Sequence, residues 1–128
     1  MADVNRGNRP LSPHLQVYRP QLNSITSIIN RITGAGLNVT FILLVAWLLA
    51  AAWSPEAFAF VDGLLTSTLG SIILIASLWA LWYHFCGGLR HLIWDTGAGF
   101  DLKFVDASGW AIIIASFVLT GLTLLLVL

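Results

Sequence analysis

Residues 83–95 read Tyr83-His84-Phe85-Cys86-Gly87-Gly88-Leu89-Arg90-His91-Leu92-Ile93-Trp94-Asp95, at the end of a long apolar run. Seven positions are almost two α-helical turns, so His84 and His91 share a face, about 10 Å apart along the axis. A histidine inside a hydrophobic span is expensive to bury and marks a functional site by default. Gly88 falls one turn beyond His84 on the same face, with Gly87 beside it, which leaves flat space for a large planar ligand such as a porphyrin. His84 precedes Asp95 by about 16 Å of helix, near mid-membrane if Asp95 marks the surface. A neutral imidazole at that depth needs a hydrogen-bond partner, a proton pathway or a metal. Haem iron commonly takes an axial histidine nitrogen. A histidine bonded to a neighbouring helix is the other reading of the same residues.

The rest of the chain is built for lipid. Of its 128 residues, 58% are hydrophobic and 9% charged, and the mean hydropathy is +0.87; soluble domains carry roughly 25% charged residues. Spans are expected at about 32–54, 63–90 and 107–128, each long enough for the ~20 helical residues that cross a hydrocarbon core. Three spans leave one transmembrane domain, 24–128, and no room for a soluble catalytic domain. The first apolar run begins too late for a simple cleaved signal. Residues 1–23 read as an extended cytoplasmic or interfacial arm, since Pro10, Pro13 and Pro20 discourage a continuous helix. The first helix is expected to start near 24–27 and run to about 53. A second, continuous helix is expected over 61–94, ended by Thr96-Gly97-Ala98-Gly99, and a third from about 107. Trp53, Trp94 and Trp110 fall near the span ends, as in an interfacial aromatic belt. Cys86 is the single cysteine, so no intrachain disulfide is possible, and it reads as a small apolar residue.

The net charge is zero but unevenly placed. Arg6, Arg9, Arg19 and Arg31 precede the first span, and Arg90 and Lys103 flank the connection between spans two and three. The connection between spans one and two holds Glu56 and Asp62 and no Lys or Arg. The positive-inside rule then puts the N-terminus and the second connection in the cytoplasm. A bacterial cytoplasmic (inner) membrane is the expected location, with the mitochondrial inner membrane as second choice.

Small and polar residues form stripes within the spans. Ser27, Arg31, Gly34 and Asn38 share a face of the first helix; Ser116, Thr120 and Thr123 share one on the third. Such stripes usually mark close helix packing, which suffices for the third helix. The arginine on the first keeps a functional reading open: a charge partner for haem propionates or a rim for a lipid-soluble quinone, beside its simpler role as a positive-inside anchor. Arg90, His91 and Asp95 gather at one membrane level, either as helix caps or as a route for protons. His14 belongs to the polar arm, and His91 shares its helix with His84 and cannot take the opposite face of one porphyrin, so if haem binds with two histidines another subunit supplies the second.

Two blocks carry a resemblance. The first is Arg9-Pro10-Leu11-Ser12-Pro13-His14-Leu15 followed by Ser27-Ile28-Ile29-Asn30-Arg31-Ile32-Thr33-Gly34; the second is His84-x-x-x-Gly88-Leu89-Arg90-His91-Leu92-x-Trp94-Asp95-x-Gly97. In order and spacing the chain resembles the cytochrome b membrane-anchor subunit of succinate dehydrogenase, respiratory complex II, over nearly its whole length. The resemblance implies an all-α integral membrane protein, its three transmembrane helices bundled with a second membrane-anchor subunit. It implies that His84 is an axial ligand of haem b, a group shared with that second anchor. It implies that Ser27 and Arg31 help form a ubiquinone site and that Arg31 and residue 30 lie near haem propionates. Asn30 stands where the family usually has histidine, and asparagine donates a hydrogen bond but takes no positive charge.

The implied partners are a flavoprotein subunit that oxidises succinate, an iron–sulfur subunit, the second anchor and membrane lipid, with no nucleic acid. The implied activity is that of a non-dehydrogenase subunit of succinate dehydrogenase (quinone): the chain anchors, binds haem and shapes the site where electrons reach ubiquinone. Two other readings are an anchor of a quinol–fumarate reductase and a haem-free structural or transport subunit.

Overall fold

A computed structural model describes Leu15 and residues 17–127. Most of the N-terminal arm, including His14 and the Arg9-Pro10-Leu11 block, lies outside the described residues. Four helices follow in order: α1 (Leu22–Trp53), α2 (Pro55–Thr66), α3 (Thr68–Asp95) and α4 (Leu102–Val127). α1, α3 and α4 hold 32, 28 and 26 residues and are long and apolar enough to cross a membrane. They run up, down and up. Low-numbered residues of α1 meet high-numbered residues of α3, while Gly109 near the start of α4 lies against Leu22 at the start of α1. α3 is the middle helix, packed on both α1 and α4.

The helix that sequence reading made continuous over 61–94 is two helices, and local chemistry explains the break. Ser54 adopts an extended conformation at the end of α1, and Pro55 occupies the first turn of α2, where its missing N–H costs nothing. The Ser54 hydroxyl accepts from Ala57 N at 3.1 Å, capping α2. Ser67 then repeats the device: it is extended, accepts from Gly70 N at 3.1 Å, and donates to Leu64 O at 2.6 Å. At Gly70 the backbone passes so close to the carbonyls of Leu64 and Leu65 that a Cβ would collide with them. The connection between spans one and two is therefore the helix α2 itself, held to α1 by a hydrogen bond from Trp47 Nε1 to Asp62 Oδ1 at 3.1 Å. Glu56 lies in the first turn of α2, where its own backbone N–H and the Ser54 hydroxyl hold its carboxyl below the usual range.

The C-terminal end of α3 follows the expected glycine pattern. Thr96 and Gly97 donate their N–H groups to Ile93 and Trp94 carbonyls, and Gly97 and Gly99 take φ of +81° and +78°. Trp94 Nε1 donates to Gly99 O at 3.0 Å, and its ring stacks on Phe100. Asp101 Oδ2 then accepts from Lys103 N, so α4 starts at Leu102, five residues before the expected position.

Side-chain placement is that of a protein without a large oily interior. Among the described residues the buried hydrophobic side chains are Ala50, Tyr83 and Ile112, whereas Thr26, Thr33, Arg90, Ser116 and Thr120 are buried polar or charged ones. Phe41, Ile42, Leu48 and Leu49 are among the large apolar side chains of α1 that face outward. In lipid, close approach and interhelical hydrogen bonds replace hydrophobic burial as the source of helix association. The α4 stripe acts this way: Ser116 and Thr120 are buried, and Thr123 accepts from Trp82 Nε1 at 3.0 Å. Each such bond contributes about 0.6 kcal/mol on average. Gly70→Ala should open the α2–α3 corner, because the obstructing atoms are backbone. An overpacking cost of about 1–3 kcal/mol would lower the midpoint of an SDS unfolding titration, and an unchanged midpoint would show that the corner has room.

Candidate functional site

The seam between α1 and α3 is assembled from polar side chains spaced one or two turns apart. Thr26 is its lowest point. Its carbonyl accepts from the Tyr83 hydroxyl at 3.2 Å and its Oγ1 accepts from Arg90 Nη2 at 3.1 Å. Tyr83, Thr26 and Arg90 are 1%, 1% and 4% exposed, so two long side chains of α3 grip one residue of α1. One turn further along α1, the Asn30 carbonyl faces the His84 ring, with Nδ1 at 3.0 Å. Further up, Thr40 Oγ1 donates to Ser77 Oγ at 2.8 Å.

The His84 contact fixes its chemistry. A carbonyl oxygen can accept but not donate, so Nδ1 carries a proton, and in the neutral ring the lone pair is on Nε2. Nε2 has no hydrogen-bond partner among the described residues. Gly34 makes this placement possible: a Cβ there would lie 2.7 Å from His84 Cε1. His84 forms one end of a groove of about 630 Å³ between α1 and α3, with Leu37, Phe41, Leu44, Leu74 and Leu78 among its apolar walls and Asn38, Thr40 and Ser77 as polar points.

This arrangement fits a haem. Metal-bound histidines almost always donate the other ring N–H to a carboxylate, carbonyl or water, which fixes the tautomer and raises the basicity of the ligating nitrogen. His84 has that geometry, and its groove is large and apolar. No group of three or more His, Cys, Asp or Glu side chains comes together among the described residues. A lone imidazole suits a metal whose equatorial donors come with the group itself.

The other residues singled out in the sequence are distributed differently. Gly88 faces open space, but Gly87 does not leave room for a ligand: a Cβ there would strike the Asn30 side chain, whose Oδ1 is buried without a partner. Gly87 thus makes room for the Asn30 side chain of α1. Ser27 is half-buried and Arg31 exposed, and neither lines the His84 groove. The Arg90–His91–Asp95 group is not one cluster. Arg90 turns inward to Thr26, with its guanidinium carbon 4.5 Å from the Trp94 ring centre, while Asp95 is exposed and His91 packs edge-on against Trp94. Arg90 Nε and Nη1 have no partner among the described residues. Tyr83, Thr26 and Thr33 were missed by sequence reading. Their signal was spacing: Thr26 and Thr33 lie two helical turns apart on α1, with Asn30 one turn from each.

A sequence model of the family described as succinate dehydrogenase/fumarate reductase transmembrane subunit matches residues 5–123. The succinate dehydrogenase cytochrome b556 subunit of Paracoccus denitrificans is 56% identical over 125 residues, covering 98% of this chain and 96% of that one. The protein of the same description from Rickettsia conorii is 39% identical over 114 residues, 89% of each chain. The cytochrome b560 subunit of Reclinomonas americana is 35% identical over 118 residues, 88% of this chain and 82% of its own.

Gly34→Ala should push the His84 ring off the Asn30 carbonyl. In ¹⁵N-histidine-labelled protein the protected Nδ1–H resonance would then be lost to exchange. Its persistence would mean that the ring does not rest on α1.

Proposed function

Because the chain belongs to the succinate dehydrogenase/fumarate reductase transmembrane subunit family, we propose that it is the cytochrome b anchor of a succinate:ubiquinone oxidoreductase, with His84 as an axial ligand of haem b. The observation that carries this reading is the His84 ring itself, its Nδ1–H donated to the Asn30 carbonyl and its Nε2 left free beside an apolar groove. A b-type haem bound there supplies one-electron redox chemistry. The chain's own contribution is to hold the imidazole in one tautomer and one orientation, against Gly34, and to shield it with leucine and phenylalanine side chains.

This chain performs no C–H chemistry in the proposed complex. Succinate is oxidised on a flavoprotein partner, an iron–sulfur partner delivers the electrons, and a second membrane anchor donates the opposite haem histidine. Three membrane-crossing helices present one imidazole to the groove and leave extensive apolar surface outward, which supports a site completed by another subunit. Ser27 and Arg31 lie on α1 beyond the His84 groove and form one wall of the ubiquinone site. Arg31, being exposed, has its guanidinium available to a quinone oxygen or a propionate. Asn30 serves the haem through its main-chain carbonyl, and its neutral amide offers no charge to a propionate.

The same end of the bundle gathers Arg19, Arg31, Arg90 and Lys103, which supports a cytoplasmic N-terminus in a bacterial inner membrane, with the iron–sulfur subunit docking on that side. The family description covers fumarate reductases too, so the anchor of a quinol–fumarate reductase is the second reading.

Two variants of the assembled complex test these roles. His84→Ala should remove or shift the b-type bands in a dithionite-reduced-minus-oxidised spectrum, and unaltered bands would place the haem elsewhere. Arg31→Ala should retain those bands while succinate–quinone reductase activity falls at least tenfold and succinate oxidation by an artificial acceptor continues. Unchanged quinone reduction would remove Arg31 from the site.

A further inference from the structure

The Asn30 carbonyl has more than one claimant. As a helical residue it accepts the i+4 N–H of Gly34 within α1, and across the seam it accepts His84 Nδ1–H at 3.0 Å. The Thr33 hydroxyl also reaches it at 3.0 Å, while lying 2.9 Å from the Ile29 carbonyl. A threonine hydroxyl has one proton, so Thr33 divides that proton between two carbonyls, one of which is the partner of His84. Thr33 is 5% exposed, so its hydroxyl is held close to these two acceptors. A carbonyl oxygen has two lone pairs, and each extra donor weakens its bond to the others.

We propose that Thr33 is a positioning residue for His84: by sharing the Asn30 carbonyl, it limits how strongly the imidazole N–H is polarised and so sets the electron donation of Nε2. This rests on haem ligation by His84. A stronger Nδ1–H···O=C bond makes a ligating imidazole more basic, and second-shell hydrogen bonding is one of the levers by which a protein tunes a bound haem. A more basic imidazole favours the ferric state. Thr33 therefore holds the potential up by drawing on the carbonyl, and its loss lets the Asn30–His84 bond tighten.

Substitution at position 33 in the assembled complex separates this from simple packing. Thr33→Val keeps the shape and removes the hydroxyl; Thr33→Ala removes it with a smaller side chain; Thr33→Ser keeps it. Redox titration of the b-type absorption and the low-spin ferric EPR g values are the readouts, with haem content measured alongside. Val and Ala should both lower the midpoint potential and displace the g values at full haem content, whereas Ser should match the parent. A tenfold change in the preference for ferric over ferrous haem corresponds to a shift of about 59 mV. Parental potentials and g values in both Val and Ala, or a Ser variant shifted as far as Val, would overturn the inference. If His84→Ala keeps the full haem complement and its potential, the ligation reading fails instead.

Discussion

Without water in a bilayer core, a buried polar side chain must find its partner within the protein, on its own helix or on another. In this chain α3 finds its main partners on the first three turns of α1. Tyr83 and Arg90 hold Thr26, and His84 holds the Asn30 carbonyl. These contacts set the register of the two helices, since moving α1 by one residue would turn Thr26 and Asn30 about 100° away from the seam. Small residues set the spacing: Gly34 admits the His84 ring and Gly87 admits the Asn30 side chain. The position of the imidazole is thus a consequence of how two helices lock together, and its tautomer follows from the kind of atom it meets.

Arg90 shows the cost of this arrangement. A guanidinium carries five N–H donors, and among the described residues it makes one hydrogen bond, to Thr26, plus a face-on contact with Trp94. Breaking a buried polar contact generally costs more than forming it gained, because the remaining group is left desolvated. The Thr26–Arg90 contact therefore resists separation of α1 from α3 more than a single hydrogen bond between neutral groups would.

Much of the architecture was legible in the sequence because it depends on properties that add along the chain. The spans followed from length and charge exclusion, and the end of α3 from Gly97 and Gly99. The α4 stripe of Ser116, Thr120 and Thr123 proved to be packing, as its spacing implied. The break at Ser67 was not legible. It depends on a hydroxyl capping Gly70 N and on one close backbone approach, neither of which alters the run of apolar residues around it. Of the residues of the candidate site, His84 was singled out by its depth in an apolar run and by the family motif. Its partner was not, because that partner is a main-chain oxygen and any residue at position 30 would present one. Gly87 was misread for a related reason. Sequence shows that a glycine leaves space but not what fills it, and here Asn30 does.

The short link between α3 and α4 has a consequence of its own. Surface connections are ordinarily where a chain tolerates added residues. Here two backbone angles reserved for glycine, the Trp94 indole bonded to the Gly99 carbonyl, and the Trp94–Phe100 stack fix the angle at which the chain re-enters the bundle. One inserted residue would either pull this clasp apart or rotate α4 by about 100° about its axis, carrying Ser116 and Thr120 out of the seam and into contact with lipid. The loop is exposed, but its length is as constrained as that of any buried turn, so sequence drift there should proceed by substitution rather than by insertion.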